Sequence, residues 1–476
     1  MKTVGADEAW EIAQQHHRAG RMAEAEAIYR QIIAAYPENA DAFHVLGILA
    51  LQTGRYPVAA ALIGRAVYLR PSYAEAHSNL GLALLAQGKW ELARASYERA
   101  IALRPDFVDA HHNLARALRD EGKLDESIAS YRRALELQPD LGAAHLNLGI
   151  TLLLRGDFEE GWREYEWRDH SPDMRNQRRT FDGVRWDGAA LSGQTLFVHA
   201  EQGLGDLIQF SRFLPAAMRR AGHVVLECSP VVQRWLAGCR ELGNLEMRTR
   251  DASISGTGPS FDAHAPLLSL PFLLGVKSPV DIPAPLPWSS NEHASAAWRR
   301  LIDDEAGQLK VGLAWAGEPA HWNDKQRSIP LSTFAPLVTT GDVRFFSVQL
   351  GAAAAQAASP PQKMNLVDLT GNIHDLADTA GLLTQLDLVI SVDTAVAHLA
   401  GAIGKPVWTL LPFAPDFRWM LKREDSPWYP TMRLFRQSRR GDWEEVIERV
   451  GSALRQLVDS KPELRNQNGE SNQNDE

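Results

Sequence analysis

The run Ser391-Val392-Asp393-Thr394-Ala395-Val396-Ala397-His398-Leu399-Ala400 gathers a carboxylate, a hydroxyl, small residues and an imidazole. It follows the apolar segment LDLVISV (386–392) and opens a helical stretch that ends near Gly404-Lys405-Pro406. Asp393 or Thr394 at such a start caps the helix, and its first backbone N–H groups point outward. Those donors and the positive end of the helix dipole attract phosphate, the dipole alone contributing ~0.3–2 kcal/mol. Ala395 and Ala397 keep the approach open, and His398, one turn in, can donate a hydrogen bond. Asp393 would repel a diphosphate on contact, so its expected role is capping or orienting the loop. The same residues also read as an ordinary helix start with a core histidine.

A second stretch is Glu201-Gln202-Gly203-Leu204-Gly205-Asp206. Gly203 and Gly205 let the backbone turn sharply beside a ligand. A third glycine and the distal acid of a dinucleotide fingerprint are missing. Asp206 is the candidate general base for transfer to a hydroxyl, an effect of ~10²–10⁴ in rate. Helix capping is its other reading, and Glu201 or His398 are substitutes for the base. A third cluster is Trp315-Ala316-Gly317 with His321, Asn323, Asp324, Lys325, Arg327 and Ser328. Lys325 and Arg327 there can neutralise the charge of a phosphate leaving group. Asp416, Arg418 and Trp419 follow another apolar run, and whether they bind or pack is open at this level.

Strands must carry these residues to one place. TLFVHA (195–200) and HVVLEC (223–228) are apolar, β-rich runs. An amphipathic helix to about Arg220 lies between them, with Leu207, Phe210, Leu214 and Met218 on its apolar face and Gly222 as its expected stop. Strand, glycine-rich turn, helix and strand make a βαβ unit and imply a parallel sheet. A polar, proline-rich segment around 278–294 separates a second half. There LKVGLAW (309–315), VRFFSVQL (343–350), LDLVISV (386–392) and PVWTLL (406–411) alternate with helical stretches. Ligands bind such sheets at the carboxyl ends of the strands.

The first third repeats. Gly20, Gly54, Gly88, Gly122 and Gly156 recur every 34 residues, as do Pro37, Pro71, Pro105 and Pro139. Tyr29, Ile63, Tyr97, Tyr131 and Tyr165 keep the same interval, and so do Phe43, His77, His111 and His145. The glycines suit left-handed turns after a first helix. Ala25, Ala59, Ala93 and Ser127 let paired helices approach, and the prolines stop the second helix. The histidines are roughly 10 Å apart, one per repeat, too far for shared metal ligation. This is the tetratricopeptide repeat (TPR) pattern, in about five units, and such arrays commonly bind peptides or proteins on a concave face.

With 476 residues, 45% hydrophobic and 23% charged, the chain expects two or three globular domains. A net charge of -9 gives no footprint for nucleic acid. Two cysteines exclude a cysteine-rich zinc site or disulfide framework. No apolar run approaches the ~18 residues of a membrane span, and the amino terminus lacks a signal-peptide core, so a cytoplasmic location is expected.

At Gly205-Asp206, Asp393-Thr394…His398 and Gly404-Lys405-Pro406 the sequence resembles the heptosyltransferase-like glycosyltransferases of GT-B fold, over roughly residues 190–455. The resemblance implies an α plus α/β protein, a TPR α-solenoid followed by a GT-B body of two Rossmann-like domains. The expected divisions are repeats over 1–168, a linker over 169–190, an acceptor-side domain over 191–290, a nucleotide-sugar-side domain over 291–458 and a disordered tail over 459–476. The family's pattern implies Asp206 as base. It also implies that the Asp393-Thr394…His398 motif holds the donor's diphosphate. With the glycine turn and the third cluster, the expected donor contacts are Gly203, Gly205, Trp315, Gly317, Lys325, Arg327, Asp393, Thr394, Ala395 and His398. Ala395 stands where the family usually has glycine, which narrows the approach to a phosphate. The implied reaction moves a sugar from a nucleotide-diphosphate donor to a protein or glycan, with inversion and no metal or cofactor, the repeats recruiting a protein acceptor or partner. A TPR scaffold with a degenerate transferase-like body, or a nucleotide-dependent epimerase on the same fold, are the alternatives.

Overall fold

The computed structural model describes residues 6–171, 181, 183–249, 260–290, 292–302, 308–321, 323–339 and 342–460. The chain forms two compact units, Met1–Leu152 with Trp167–Asp173, and Leu153–Glu166 with Met174–Glu476.

The first unit is built from paired helices. Ala6–Arg18 and Met22–Ala35 form one pair, Ala40–Gln52 and Tyr56–Leu69 the next, then Ala74–Leu85 with Trp90–Leu103 and Val108–Asp120 with Leu124–Leu137. The intervening glycines adopt the left-handed turn, with φ of 73° at Gly20, 72° at Gly54 and Gly88, and 78° at Gly122. Ala25, Ala59, Ala93 and Ser127 are wholly buried, as are Tyr29, Ile63, Tyr97 and Tyr131. A Cβ on Gly81 would lie 2.5 Å from the Tyr97 ring, so small residues on one helix receive large ones from the next. The repeat histidines have a local use. His77 Nε2 is 3.0 Å from the Pro71 carbonyl, and His111 and His145 are each 2.9 Å from those of Pro105 and Pro139. Each imidazole therefore latches the turn that precedes its own helix.

The helix Phe158–Tyr165 keeps the repeat register yet belongs to the second unit. Its Trp162 packs edge-on against Phe210 and Phe417, at 6.0 and 5.9 Å between ring centres.

The rest of the second unit holds two sheets, every strand pair parallel. The first contains β1 (Val184–Arg185), β2 (Leu191–His199), β3 (Ala221–Cys228), β4 (Glu246–Thr249) and β5 (Ala263–Pro266), in the order β1-β5-β2-β3-β4. The second contains β6 (Leu309–Ala314), β7 (Val343–Ser347), β8 (Leu366–Asp368), β9 (Leu388–Val392), β10 (Val407–Leu411) and β11 (Met432–Arg436), ordered β11-β10-β9-β6-β7-β8. β9 is buried at every position, as a strand covered on both faces must be. Chain direction across the sheet reverses between β2 and β5 in the first half, and between β6 and β9 in the second. Those two switch points are where the strand ends leave a crevice.

Three expectations need correction. The helix after β2 is divided, as Leu204–Phe210, a 3₁₀ turn at Ser211–Phe213 and Leu214–Arg220, with Pro215 removing a backbone donor at the restart. Gly222 does not stop it. Gly222 lies within β3, where a Cβ would come 2.7 Å from Gly193, so it permits two strands to approach. The stretch 169–190 is also more than a connection, because Val184–Arg185 joins the sheet beside β5 and Trp186 is buried. The final helix runs Trp443–Ser460, and the tail beyond it lies outside the described residues.

Candidate functional site

The chemistry-bearing residues collect at the carboxyl ends of β2, β6, β9 and β10. After β2 the turn needs a left-handed residue, and the one that adopts it is Gln202, with φ of 63°. Its amide donates to the Tyr165 hydroxyl at 3.0 Å, which holds a conformation that a non-glycine residue resists. The chain then enters Leu204–Phe210. Asp206 Oδ2 accepts the Gly203 N–H at 2.9 Å, and Oδ1 accepts from Arg418 Nη2. Asp206 thus caps its helix and forms an ion pair at once. Each carboxylate oxygen retains a lone pair for a proton.

Arg418 is buried. Its Nη1 donates to Asp416 at 2.7 Å, and its guanidinium lies 4.6 Å from the Phe417 ring centre. Burial disfavours its charge, but Asp416 and Asp206 more than offset that and raise its pKa. The Arg418 Nε–H has no hydrogen-bond partner among the described residues.

Beyond β9, Thr394 occupies the cap position of the helix Ala395–Ala402 without a side-chain cap bond, its hydroxyl lying 3.1 Å from Ser391 Oγ instead. Asp393 likewise makes no cap bond to that helix among the described residues. The expected side-chain cap is therefore absent among the described residues. His398 stacks on Trp419 at 5.2 Å, and its Nδ1 is 3.0 Å from the Tyr429 hydroxyl. A Cβ on Gly205 would come 2.8 Å from His398 Cδ2, so the first half's glycine turn lies directly against the second half's imidazole. Burial, and then the charges of Arg418, Arg212 and Arg327, push the His398 pKa well below its usual value. His398 is a neutral ring.

Asp393 lies 3.9 Å from His398 Nε2. Burial first, and then the charge of Asp416, push its carboxyl up to about 6, against the pull of Arg327 and Arg418. The sign of the stability effect follows. A carboxyl raised from 3.8 to about 6 binds more protons folded than unfolded between those values, so stability falls as pH rises through that window. We expect Asp393→Asn to stabilise the fold by roughly 2–3 kcal/mol above pH 6 and to change little below pH 4. Melting curves at pH 4 and pH 7.5 check this, and equal shifts at both would contradict it.

After β6, Gln349 serves as a strut. Its carbonyl accepts the Trp315 and Ala316 N–H groups at 2.9 and 2.8 Å, and its amide donates to the Ala316 and Leu350 carbonyls. Gly317 makes room for the loop, since a Cβ there would lie 2.7 Å from both Arg327 Nη2 and Asp324 Oδ1. Arg327 Nε is 3.6 Å from Asp324 and, like that of Arg418, has no hydrogen-bond partner. Trp315 requires correction as a ligand contact. Its ring is fully buried in the core of the second half, so only its backbone reaches the site. Lys325 is exposed beside the loop and Ala395 is partly covered at the helix start.

The structure thus brings Asp206, Gly205, Asp393, His398, Asp416 and Arg418 together, with Arg327 and His321 within electrostatic reach. Sequence reasoning missed Tyr429, Arg212, Tyr165 and Gln349. Only Tyr165 carried a signal, the repeat spacing, and that signal pointed to packing.

Among known proteins, models of the tetratricopeptide repeat match residues 10–39, 44–106, 84–129 and 115–156. The model of glycosyltransferase family 9 (heptosyltransferase) matches residues 335–421, a span that includes Asp393, His398 and Arg418 but not Asp206. Protein FlbA of Caulobacter vibrioides is 30% identical over 324 residues, which is 63% of this chain and 53% of that protein. The chain therefore spans about half the length of this curated relative. Among solved structures, MamA 41-end from Desulfovibrio magneticus RS-1 is 20% identical, covering 37% of this chain and all of its own, with a TM-score of 0.32. YrrB, described as a TPR protein with an unusual peptide-binding site, is 20% identical, covering 37% of this chain and 90% of its own, with a TM-score of 0.31.

Proposed function

We infer that this chain, which joins tetratricopeptide repeats to a glycosyltransferase family 9 domain, transfers a sugar from a nucleotide-diphosphate donor to a protein or glycan hydroxyl. Two buried arginine donors without partners carry the reading. The buried Nε–H groups of Arg327 and Arg418 lack partners beside a helix start that no side chain caps. Buried polar groups left unpaired need a partner, and an anion supplies it. Arg327, Arg418 and Lys325 would stabilise the departing diphosphate, so that its charge is met by side chains without a metal. Asp206 would take the proton of the acceptor hydroxyl as it attacks the anomeric carbon, with inversion there. The repeats would recruit the protein that carries or accompanies the acceptor. No helix among the described residues is long and apolar enough to cross a membrane, and a cytoplasmic site of action is part of this proposal.

The Ala395 methyl favours a second reading, a scaffold whose body has lost catalysis. Thermal shifts with UDP-, GDP-, ADP-, CMP- and dTDP-sugars separate the two. At 100 times its dissociation constant the true donor adds ~2.7 kcal/mol of stability. One clear hit supports the transferase, whereas no shift with any of them or with the free diphosphates supports the scaffold.

A further inference from the structure

A buried polar chain joins the two halves. Arg212, from the turn that follows Leu204–Phe210, donates through Nε to the Gln209 carbonyl at 2.8 Å. Its Nη1 donates to the carbonyls of Trp428 at 2.6 Å and Pro283 at 3.3 Å. Its guanidinium lies 4.8 Å from the Tyr429 ring centre. Tyr429 is wholly buried, and its hydroxyl is 3.0 Å from His398 Nδ1.

We propose that Tyr429, held by Arg212, is a positioning residue that fixes His398 as the tautomer with its proton on Nε2, making the imidazole a hydrogen-bond donor at the site and not its base. A guanidinium has no acceptor, so Arg212 cannot take the phenol proton. Tyr429 has a single proton to give, and His398 Nδ1 lies within hydrogen-bond distance of it. A neutral imidazole that accepts at Nδ1 carries its proton at Nε2. That nitrogen is the one turned toward Asp393, 3.9 Å away. The ring has little freedom to change this, pinned by Trp419 on one face and by the Gly205 backbone at Cδ2. Tyr429 itself is seated by Gly401, where a Cβ would come 2.5 Å from its ring. The base must then be a carboxylate, in agreement with Asp206. The link to substrate rests on the sugar-nucleotide reading, but the tautomer does not.

The test is nitrogen-15 NMR of protein labelled at histidine. The chain has 15 histidines, and the His398 signals are those lost in His398→Gln. The expected result is a protonated Nε2 and a bare Nδ1, unchanged between pH 6 and 8. A proton on Nδ1, or titration of the ring in that range, overturns the proposal. Tyr429→Phe keeps the ring and removes the hydroxyl. It should yield a mixture of tautomers and weaken binding of the sugar nucleotide ~3–10-fold, the loss of about one hydrogen bond. Retention of a single Nε2–H tautomer in that variant removes Tyr429 from the role. If the variant does not fold, the wild-type spectrum still decides the tautomer. If no sugar nucleotide binds wild-type protein, the proposed function falls while the tautomer is still read.

Discussion

Asp206→Asn is expected to lower turnover ~10²–10⁴-fold while the affinity for the sugar nucleotide stays within a few-fold of wild type. The reasoning separates the two jobs of this carboxylate. Asp206 Oδ2 caps the helix through the Gly203 N–H, and an asparagine carbonyl can keep that bond. What asparagine cannot do is accept a proton from an attacking hydroxyl. Its amide must also turn an N–H toward Arg418, so two donors face each other and stability falls by about 1–3 kcal/mol. Single-turnover rates with the donor found in the thermal-shift panel, beside its binding curve, check the split. A drop of less than tenfold would move the base to Asp393 or Glu201. Loss of donor binding with unchanged chemistry would show that Asp206 only shapes the site.

The repeats and the strands were legible because their signals are local. A 34-residue period shows itself at every register, and strands buried on both faces appear as unbroken apolar runs such as LDLVISV. The site was legible as separate pieces, Gly205-Asp206 after β2 and Asp393…His398 after β9. Their assembly was not, because the pair Asp206–Arg418 spans 212 residues and no spacing records it. Gly222 misled because glycine marks a helix end and a close strand approach equally well. Trp315 misled because an aromatic at a strand exit suits a ligand as well as it suits a core, and burial alone decides. Tyr165 shows a further limit. The spacing gave it a packing role, and its hydroxyl also holds Gln202 in a left-handed turn at the edge of the site.

Arg418→Met should destabilise the second unit by about 3–5 kcal/mol at pH 7.5 and abolish detectable diphosphate binding. Methionine replaces the aliphatic volume against Phe417 and Phe210, so the loss reports charge rather than packing. With the guanidinium gone, Asp206 and Asp416 lose their shared partner, and breaking a buried pair costs that much because the remaining charge is uncompensated. Asp393, already pushed up to about 6 by burial and Asp416, loses one of the two arginines that oppose the shift. The Asp393 carboxyl is then pushed higher in the folded variant than in wild type. A carboxyl whose folded pKa lies above its unfolded one stabilises the fold below the unfolded value and loses that contribution as pH rises through the folded value. The deficit of Arg418→Met should therefore be larger at pH 7.5 than near pH 4. Melting temperatures of variant and wild type at both pH values measure it. A deficit that does not change with pH would mean that Arg418 acts as a packing element, and the anion site would then rest on Arg327 and the helix start alone.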